Sequence, residues 1–191
     1  MDADRSCISQ TVKPKHPGCG LRYPTIDTTG SSGAMSERTE LALGGLALVS
    51  SGLFAGFAAG ITVSVYPAMM ELDEKSALKY FSGFYTRAAV MQPLLLVTAL
   101  AASGGALATC PLTSLSQKGH IVSAAASAFM LGWTRLTMVS ENNEMVALGK
   151  KGQTSPKAGR MLDSWGTRHN VRTIVSVASF CVLGYAFLRR H

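Results

Sequence analysis

The chain reads as an all-α protein, a four-transmembrane-helix antiparallel bundle preceded by a disordered N-terminal tail. Three observations predict this. Hydrophobic residues make up 47% of 191 positions and charged residues only 15%, with a mean hydropathy of +0.22, too apolar for an ordinary soluble domain and too short for many modules. The uncharged runs from Leu41 to Met70 and from Ala88 to Gln117 each exceed the ~20 residues that a membrane-crossing helix needs. A further run, Thr173 to Leu188, is uncharged until Arg189, and a weaker apolar stretch lies before it. The net charge of +7 comes from basic residues set singly between apolar runs, which speaks against nucleic acid and for anionic lipid head groups. Cys7, Cys19, Cys110 and Cys181 form no close pair, so neither a zinc site nor a disulfide framework is expected, and no metal.

Residues 1–35 carry prolines, glycines and small polar residues without apolar periodicity and read as tail, with residues 36–191 as the membrane domain. The tail lacks the apolar core of a signal peptide, and Met35-Ser-Glu-Arg resembles a second start, which makes residues 1–34 dispensable. The first span is expected over about 41–66. Gly52, Gly56 and Gly60 recur every four residues along it, a small-residue face that packs on another span of the chain or, alternatively, builds a homo-oligomer. Tyr66 and Pro67 mark its end, and the charged residues from Glu71 to Lys75 a wet turn.

A second helix starts near Ser76, lies in the interface through Tyr80, Phe84 and Tyr85, and spans about 88–110, with a kink at Pro93 beside Gln92. Lys118 and His120 mark a short return loop. The third span, about 120–140, contains Arg135, a charge that in a span usually faces the interior or, this close to Glu141 and the boundary, snorkels to the surface, and Asn142 falls seven residues later on the same face. Gly149 to Thr154 reads as a loop. Ser155 is placed as N-cap and Pro156 as first helical residue, opening a helix whose membrane part covers about 169–188.

Trp165, His169 and Arg172 follow at steps of four and three, which stacks an aromatic ring, a titratable base and a fixed cation on one helical stripe, continued by Ser176 and Ser179. The bland reading makes Trp165 and Arg172 interfacial anchors and His169 a cap for a neighbour. Alternating spans, however, bring Tyr85, Gln92, Arg135, Asn143, His169 and Arg172 to one rim, while the other offers little beyond Lys118 and His120. Anchoring would serve both ends equally, so the asymmetry points to a pocket at one end of the bundle. More Lys and Arg lie on that side, which favours a cytoplasmic pocket in an endomembrane or the plasma membrane.

The first span ending in Val65-Tyr66-Pro67, the Phe84-Tyr85-x-Arg87 stretch followed by Pro93, Asn143-Glu144 after the third span, and above all Trp165-x-x-x-His169-x-x-Arg172 resemble the anthrone oxygenase family, over about Leu41 to Leu188. Asn142 stands where that pattern has a proline. The resemblance implies oxidation of a flat lipophilic phenol or ketone by molecular oxygen as co-substrate, with no cofactor expected. It gives His169 the role of base, Arg172 with Arg135 that of oxyanion cradle, Trp165 and Tyr85 that of stacking the substrate, and Asn143 and Gln92 that of polar contacts to it. The competing reading is a non-enzymatic membrane scaffold or lipid-binding protein in which Arg135 pairs with Glu141 or Glu144 and the glycine face holds a partner helix. A haem protein is disfavoured because His16, His120 and His191 lie away from His169.

Overall fold

The computed structural model of the chain describes residues 29–189, with side chains from Met35 onward. Among the described residues every regular element is helical: α1 (Thr29–Gly60), a π-helical turn (Ile61–Val65), α2 (Tyr66–Met70), α3 (Glu74–Thr109), α4 (Ser114–Thr137), α5 (Val139–Lys151) and α6 (Ala158–Leu188). Three stretches, Met35–Met70, Glu74–Thr109 and Ala158–Leu188, are long and apolar enough to cross a bilayer. Helix α4, with Lys118, Arg135 and many serines, falls short of that apolarity. Residues 1–28 of the expected tail lie outside the described residues, and α1 takes in its last part from Thr29.

Helix α1 packs against α3 and α6, and α4 packs against the same two, so the four long helices close a ring with α1 and α4 on opposite sides. Helix α5 lies along α3 and touches the start of α6.

The first helix does not stop at Tyr66 and Pro67. A proline lacks the N–H that would bond the carbonyl four residues back, and its ring collides with that carbonyl, here Val63. The chain absorbs this by widening one turn. Tyr66 N donates to the Ile61 carbonyl five residues back, and the helix resumes as far as Met70. Asp73 then caps α3, its Oδ1 accepting from Lys75 N and Ser76 N at 3.1 Å each. Helix α3 continues unbroken through Pro93 to Thr109.

The return at the far end is shorter than expected. It comprises Cys110 to Thr113, and Thr113 Oγ1 caps α4 by accepting from Ser116 N at 3.3 Å. Lys118 and His120 therefore sit inside a helix, and His120 is buried. Helix α4 ends at Thr137, Met138 takes φ −119° and ψ −31°, and α5 follows directly from Val139.

The loop expected from Gly149 begins a turn later, at Gly152, whose φ of 61° closes α5 in the left-handed conformation. Gly149 stays helical because its missing side chain lets α5 lie on the α3 backbone; a Cβ there would run into the Leu78 carbonyl and Ser82. Ser155 does not cap α6 directly. Its Oγ accepts from Lys157 N at 3.3 Å and its carbonyl from Ala158 N at 2.8 Å, forming a turn before the helix starts at Ala158.

The glycine face of α1 is only partly used within the chain. Gly52 lies against the Phe180 ring of α6, whereas Gly56 and Gly60 have open space beside them, because α1 turns Phe54, Ala55 and Ala58 inward instead. The closest helix approaches fall at Gly149, at Gly119 against Ala186, and at Gly166 against the Tyr66 ring.

Candidate functional site

The α6 stripe points inward along its whole length: Trp165, His169, Arg172, Ser176 and Ser179 are all buried. At 3% and 5% exposure respectively, Trp165 and Arg172 are not interfacial anchors.

His169 Nε2 stands 3.2 Å from the Ala58 carbonyl oxygen. A carbonyl only accepts, so Nε2 carries the hydrogen, and in the neutral ring the free lone pair belongs to Nδ1. That atom is buried and has no hydrogen-bond partner. The Ala58 carbonyl, a few residues before the π turn, also accepts from Thr173 Oγ1 at 3.2 Å, and Thr173 Oγ1 lies 2.8 Å from Thr62 Oγ1. The imidazole stacks on Trp165 at 5.1 Å between centroids and 18° between planes. Phe81 meets the indole edge-on at 5.2 Å, and Tyr66 leans on it at 6.0 Å. Trp165 thus fixes the imidazole from below and is walled off from any open space.

One turn further on, Arg172 Nη2 donates to Gln92 Oε1 at 2.6 Å, and the guanidinium lies 5.4 Å over the Phe54 ring. Its Nε has no partner, and among the described residues no carboxylate pairs with it. A buried cation without a counter-ion is costly unless something anionic joins it. Beside it lies a cavity of about 230 Å³ whose wall includes Tyr85, Gln92, Pro93, Thr134, Arg135 and Arg172. Ala89 lines it too, and Pro93 deprives the Ala89 carbonyl of its usual helical donor. Thr134 Oγ1 is likewise buried without a partner. Donors and acceptors therefore converge on this space, although a larger depression of about 740 Å³ exists on the outer face of α3.

Four of the residues expected in the site, Tyr85, Gln92, Arg135 and Arg172, line this one cavity. Arg135 is exposed at its mouth and pairs with neither Glu141 nor Glu144. Tyr85 is half-buried and held by stacking on Phe81 at 5.4 Å and 11°. His169 lies a turn from Arg172, outside the cavity wall. Asn143 is exposed, and Asn142 is the buried one, with both amide atoms unpartnered. Asn142 and Arg135, expected on one inward face, part across the interruption at Met138: Asn142 turns inward and Arg135 does not.

Sequence reasoning missed Arg168, which donates to Glu141 through Nη1 at 2.7 Å and Nη2 at 3.2 Å, and also to the Thr137 carbonyl. It clamps α6 onto the break between α4 and α5 by satisfying a carbonyl that the helix end leaves free. Thr134 was missed as well, though its seven-residue step from Ser127 continues the buried Ser116, His120, Ser123, Ser127 stripe of α4. Among the described residues, no three His, Cys, Asp or Glu side chains gather as a metal set, and Cys110 and Cys181 are free. Cys7 and Cys19 lie outside the described residues.

Compared with known proteins, residues 81–182 match the family described as Anthrone oxygenase, a stretch that contains Tyr85, Gln92, Arg135, Trp165, His169 and Arg172. No curated protein and no solved structure matches the chain.

Proposed function

This chain belongs to the anthrone oxygenase family, whose match spans more than half of its 191 residues, and on that premise we propose that it is a multi-pass membrane oxygenase of flat lipophilic phenols or ketones. In this reading α1 with α2, α3, α4 and α6 make four crossings of an endomembrane or the plasma membrane, with the polar rim cytoplasmic. Molecular oxygen is the co-substrate and no cofactor takes part. A methylene flanked by aromatic rings and conjugated to a ketone is acidic, because its anion is a delocalised aromatic phenolate. That anion reduces oxygen directly. Overall the carbon exchanges two hydrogens for one oxygen atom of O₂, and the second oxygen atom leaves as water.

His169, a turn beyond the cavity wall, is in this reading the base that starts this, taking the proton on Nδ1 while Nε2–H stays on the Ala58 carbonyl, which requires the substrate's methylene to reach past Arg172 to the imidazole. Arg172, oriented by Gln92, receives the negative charge that develops on the ketone oxygen. Arg135 adds its charge from the mouth, and Tyr85 offers a ring for stacking. Trp165 supports the imidazole instead of stacking substrate, and Asn143, exposed on α5, has no part in it. A cavity of about 230 Å³, below the roughly 300–1,000 Å³ of common ligand pockets, suits a compact planar molecule.

The observation that carries this reading is Arg172, a buried guanidinium without a carboxylate at the wall of that cavity. Membranes bearing the protein are supplied with an anthrone, and oxygen uptake and quinone formation are followed together. Coupled consumption and production are expected, with Arg172→Ala losing roughly 10²–10³-fold. Quinone formation no faster than in membranes lacking the protein refutes the assignment. A scaffold reading draws on Gly56 and Gly60, whose open faces suit a second helix, including that of another copy of the chain. It predicts a stable partner crosslinked through those positions and unaltered behaviour of Arg172→Ala.

A further inference from the structure

We propose that the outer face of α3 carries a binding site for one anionic phospholipid, distinct from the cavity at Arg172. The depression of about 740 Å³ there is walled by residues of one helical stripe from Ser76 to Met91, with Phe57 of α1 and Leu72 of the preceding turn. At 1.5 Å per residue the stripe runs about 22 Å. From Gly83, between the two cations, to Met91 it runs about 12 Å, most of the roughly 15 Å hydrocarbon depth of one leaflet.

Two rows of side chains run side by side along the groove and differ in chemistry, Lys79, Gly83 and Arg87 on one and Tyr80, Phe84 and Ala88 on the other. Phe57 and Phe84 stack at 6.1 Å and 7°, a flat wall that continues past Ala88 to Met91 and fits an acyl chain. Lys79 and Arg87 supply positive charge, and no acidic side chain lines the groove. Arg87 Nη1 donates back to the Gly83 carbonyl at 3.2 Å, turning the guanidinium toward Lys79 and leaving its other N–H groups uncommitted. In the turn before α3, Asp73 caps the helix and Glu74 accepts from Thr154 at 3.1 Å, and Glu71 does not line the groove. Gly83 opens the floor between the two cations, since a Cβ there would meet only Arg87 Nη1, at 4.0 Å. A phosphate diester held between Lys79 and Arg87, with its chain running along the aromatic wall, satisfies every part of this surface. Any lipid tail could fill the apolar half; the cations select for negative charge.

The test is native mass spectrometry of the full chain in detergent, titrated in parallel with dioleoyl phosphatidylglycerol and dioleoyl phosphatidylcholine. One phosphatidylglycerol per chain is expected, preferred over phosphatidylcholine by roughly thirtyfold, as two interfacial charges allow. Lys79→Ala with Arg87→Ala removes the preference and keeps the weak binding common to both lipids. Gly83→Phe, which fills open space without touching the packed core, removes both. Equal binding of the two lipids by the unaltered chain overturns the proposal, as does a preference that survives the double substitution or binding that survives Gly83→Phe. None of these readouts depends on oxygenase activity.

Discussion

The two ends of the helix ring each bury a histidine with a free Nδ1, and the two imidazoles differ in what surrounds them. His169 and His120 are 1% and 2% exposed, and each has an unpartnered Nδ1. His169 sits on a tryptophan, a turn from a guanidinium that borders a cavity of about 230 Å³. His120 sits on a stripe of serines close to Gly44, where Ser103 donates to Ser123 at 3.1 Å and Ser51 lies 3.4 Å from Ser123. The space among Ser51, Ser127, Ser176 and Ser179 further along is only about 10 Å³, barely room for one water. Leu96 borders both spaces, and its packing with Phe54 and Met130 separates them. A buried histidine is thus no sign of chemistry by itself; an unpaired cation and room for a substrate beside it are.

The largest expected effect tests that distinction directly. His169→Ala is expected to cut quinone formation by about 10²–10⁴-fold, the usual worth of a positioned base, while the protein remains in the membrane fraction. His120→Ala is expected to lower thermal stability and leave the turnover of folded protein unchanged. Steady-state rates in membranes, normalised to the amount of monodisperse protein, separate the two. Equal losses at both positions would erase the contrast between the ends.

Gln92 offers a finer test of the same end. Gln92→Glu places a carboxylate on Arg172 at the distance where the amide oxygen now sits, 2.6 Å, and so supplies the missing counter-ion. The variant is expected to be at least as stable as the parent and to turn over roughly tenfold or more slowly, because a guanidinium already neutralised stabilises a developing oxyanion less. Gln92→Leu leaves the guanidinium charge available but loses its orientation, so a smaller loss, of about 0.5–1 kcal/mol in kcat/KM, is expected. A Gln92→Glu variant as active as the parent would show that Arg172 does not work through its free charge.

Much of this end was legible in the sequence because it lies on one unbroken helix. The 3.6-residue period carries Trp165, His169 and Arg172 onto one stripe whatever surrounds them, and the stripe is buried as expected. The period served less well across the interruption at Met138: Asn142, placed seven residues after Arg135 on an inward face, is buried, but Arg135 itself is exposed, and so is Asn143, which only the family resemblance nominated. Pro67 was visible as a breaker, but whether a proline ends a helix or widens it depends on what the next turn can bury, and here Met69 is buried beneath it.

The glycines show the same limit and yield the next prediction. Gly52, Gly56 and Gly60 stood out through regular spacing, yet close approach is a property of the partner: of the three only Gly52 is tightly packed, and the closest contacts fell on the irregular Gly119, Gly149 and Gly166. Gly166→Ala, at the polar end, drives a methyl into the Tyr66 ring and is expected to cost about 1–3 kcal/mol. Gly56→Ala meets nothing within 4 Å and is expected to be neutral, or stabilising by up to about 1 kcal/mol through lower unfolded-state entropy. Thermal unfolding in one detergent ranks them. Strong destabilisation by Gly56→Ala would mean that a partner covers that face.

The smallest effect compares the caps at the two ends. Helix α3 starts on a carboxylate, Asp73, and α4 on a hydroxyl, Thr113, so only the first cap titrates. Hydrogen bonding from Ser76 holds the Asp73 carboxyl below its usual value. A group with a depressed folded-state pKa contributes stability that is fully present above its unfolded value, about 4, and is lost as the pH falls through the folded value. Asp73→Asn keeps an oxygen that can accept from the same amides but has nothing to protonate. The difference in melting temperature between parent and Asp73→Asn is therefore expected to be constant from neutral pH down to about 5 and to narrow below that, whereas Thr113→Ser shows no such change. A difference that stays flat to the lowest pH at which the protein remains folded would mean that the Asp73 charge adds nothing to the cap beyond the hydrogen bonds an amide can supply.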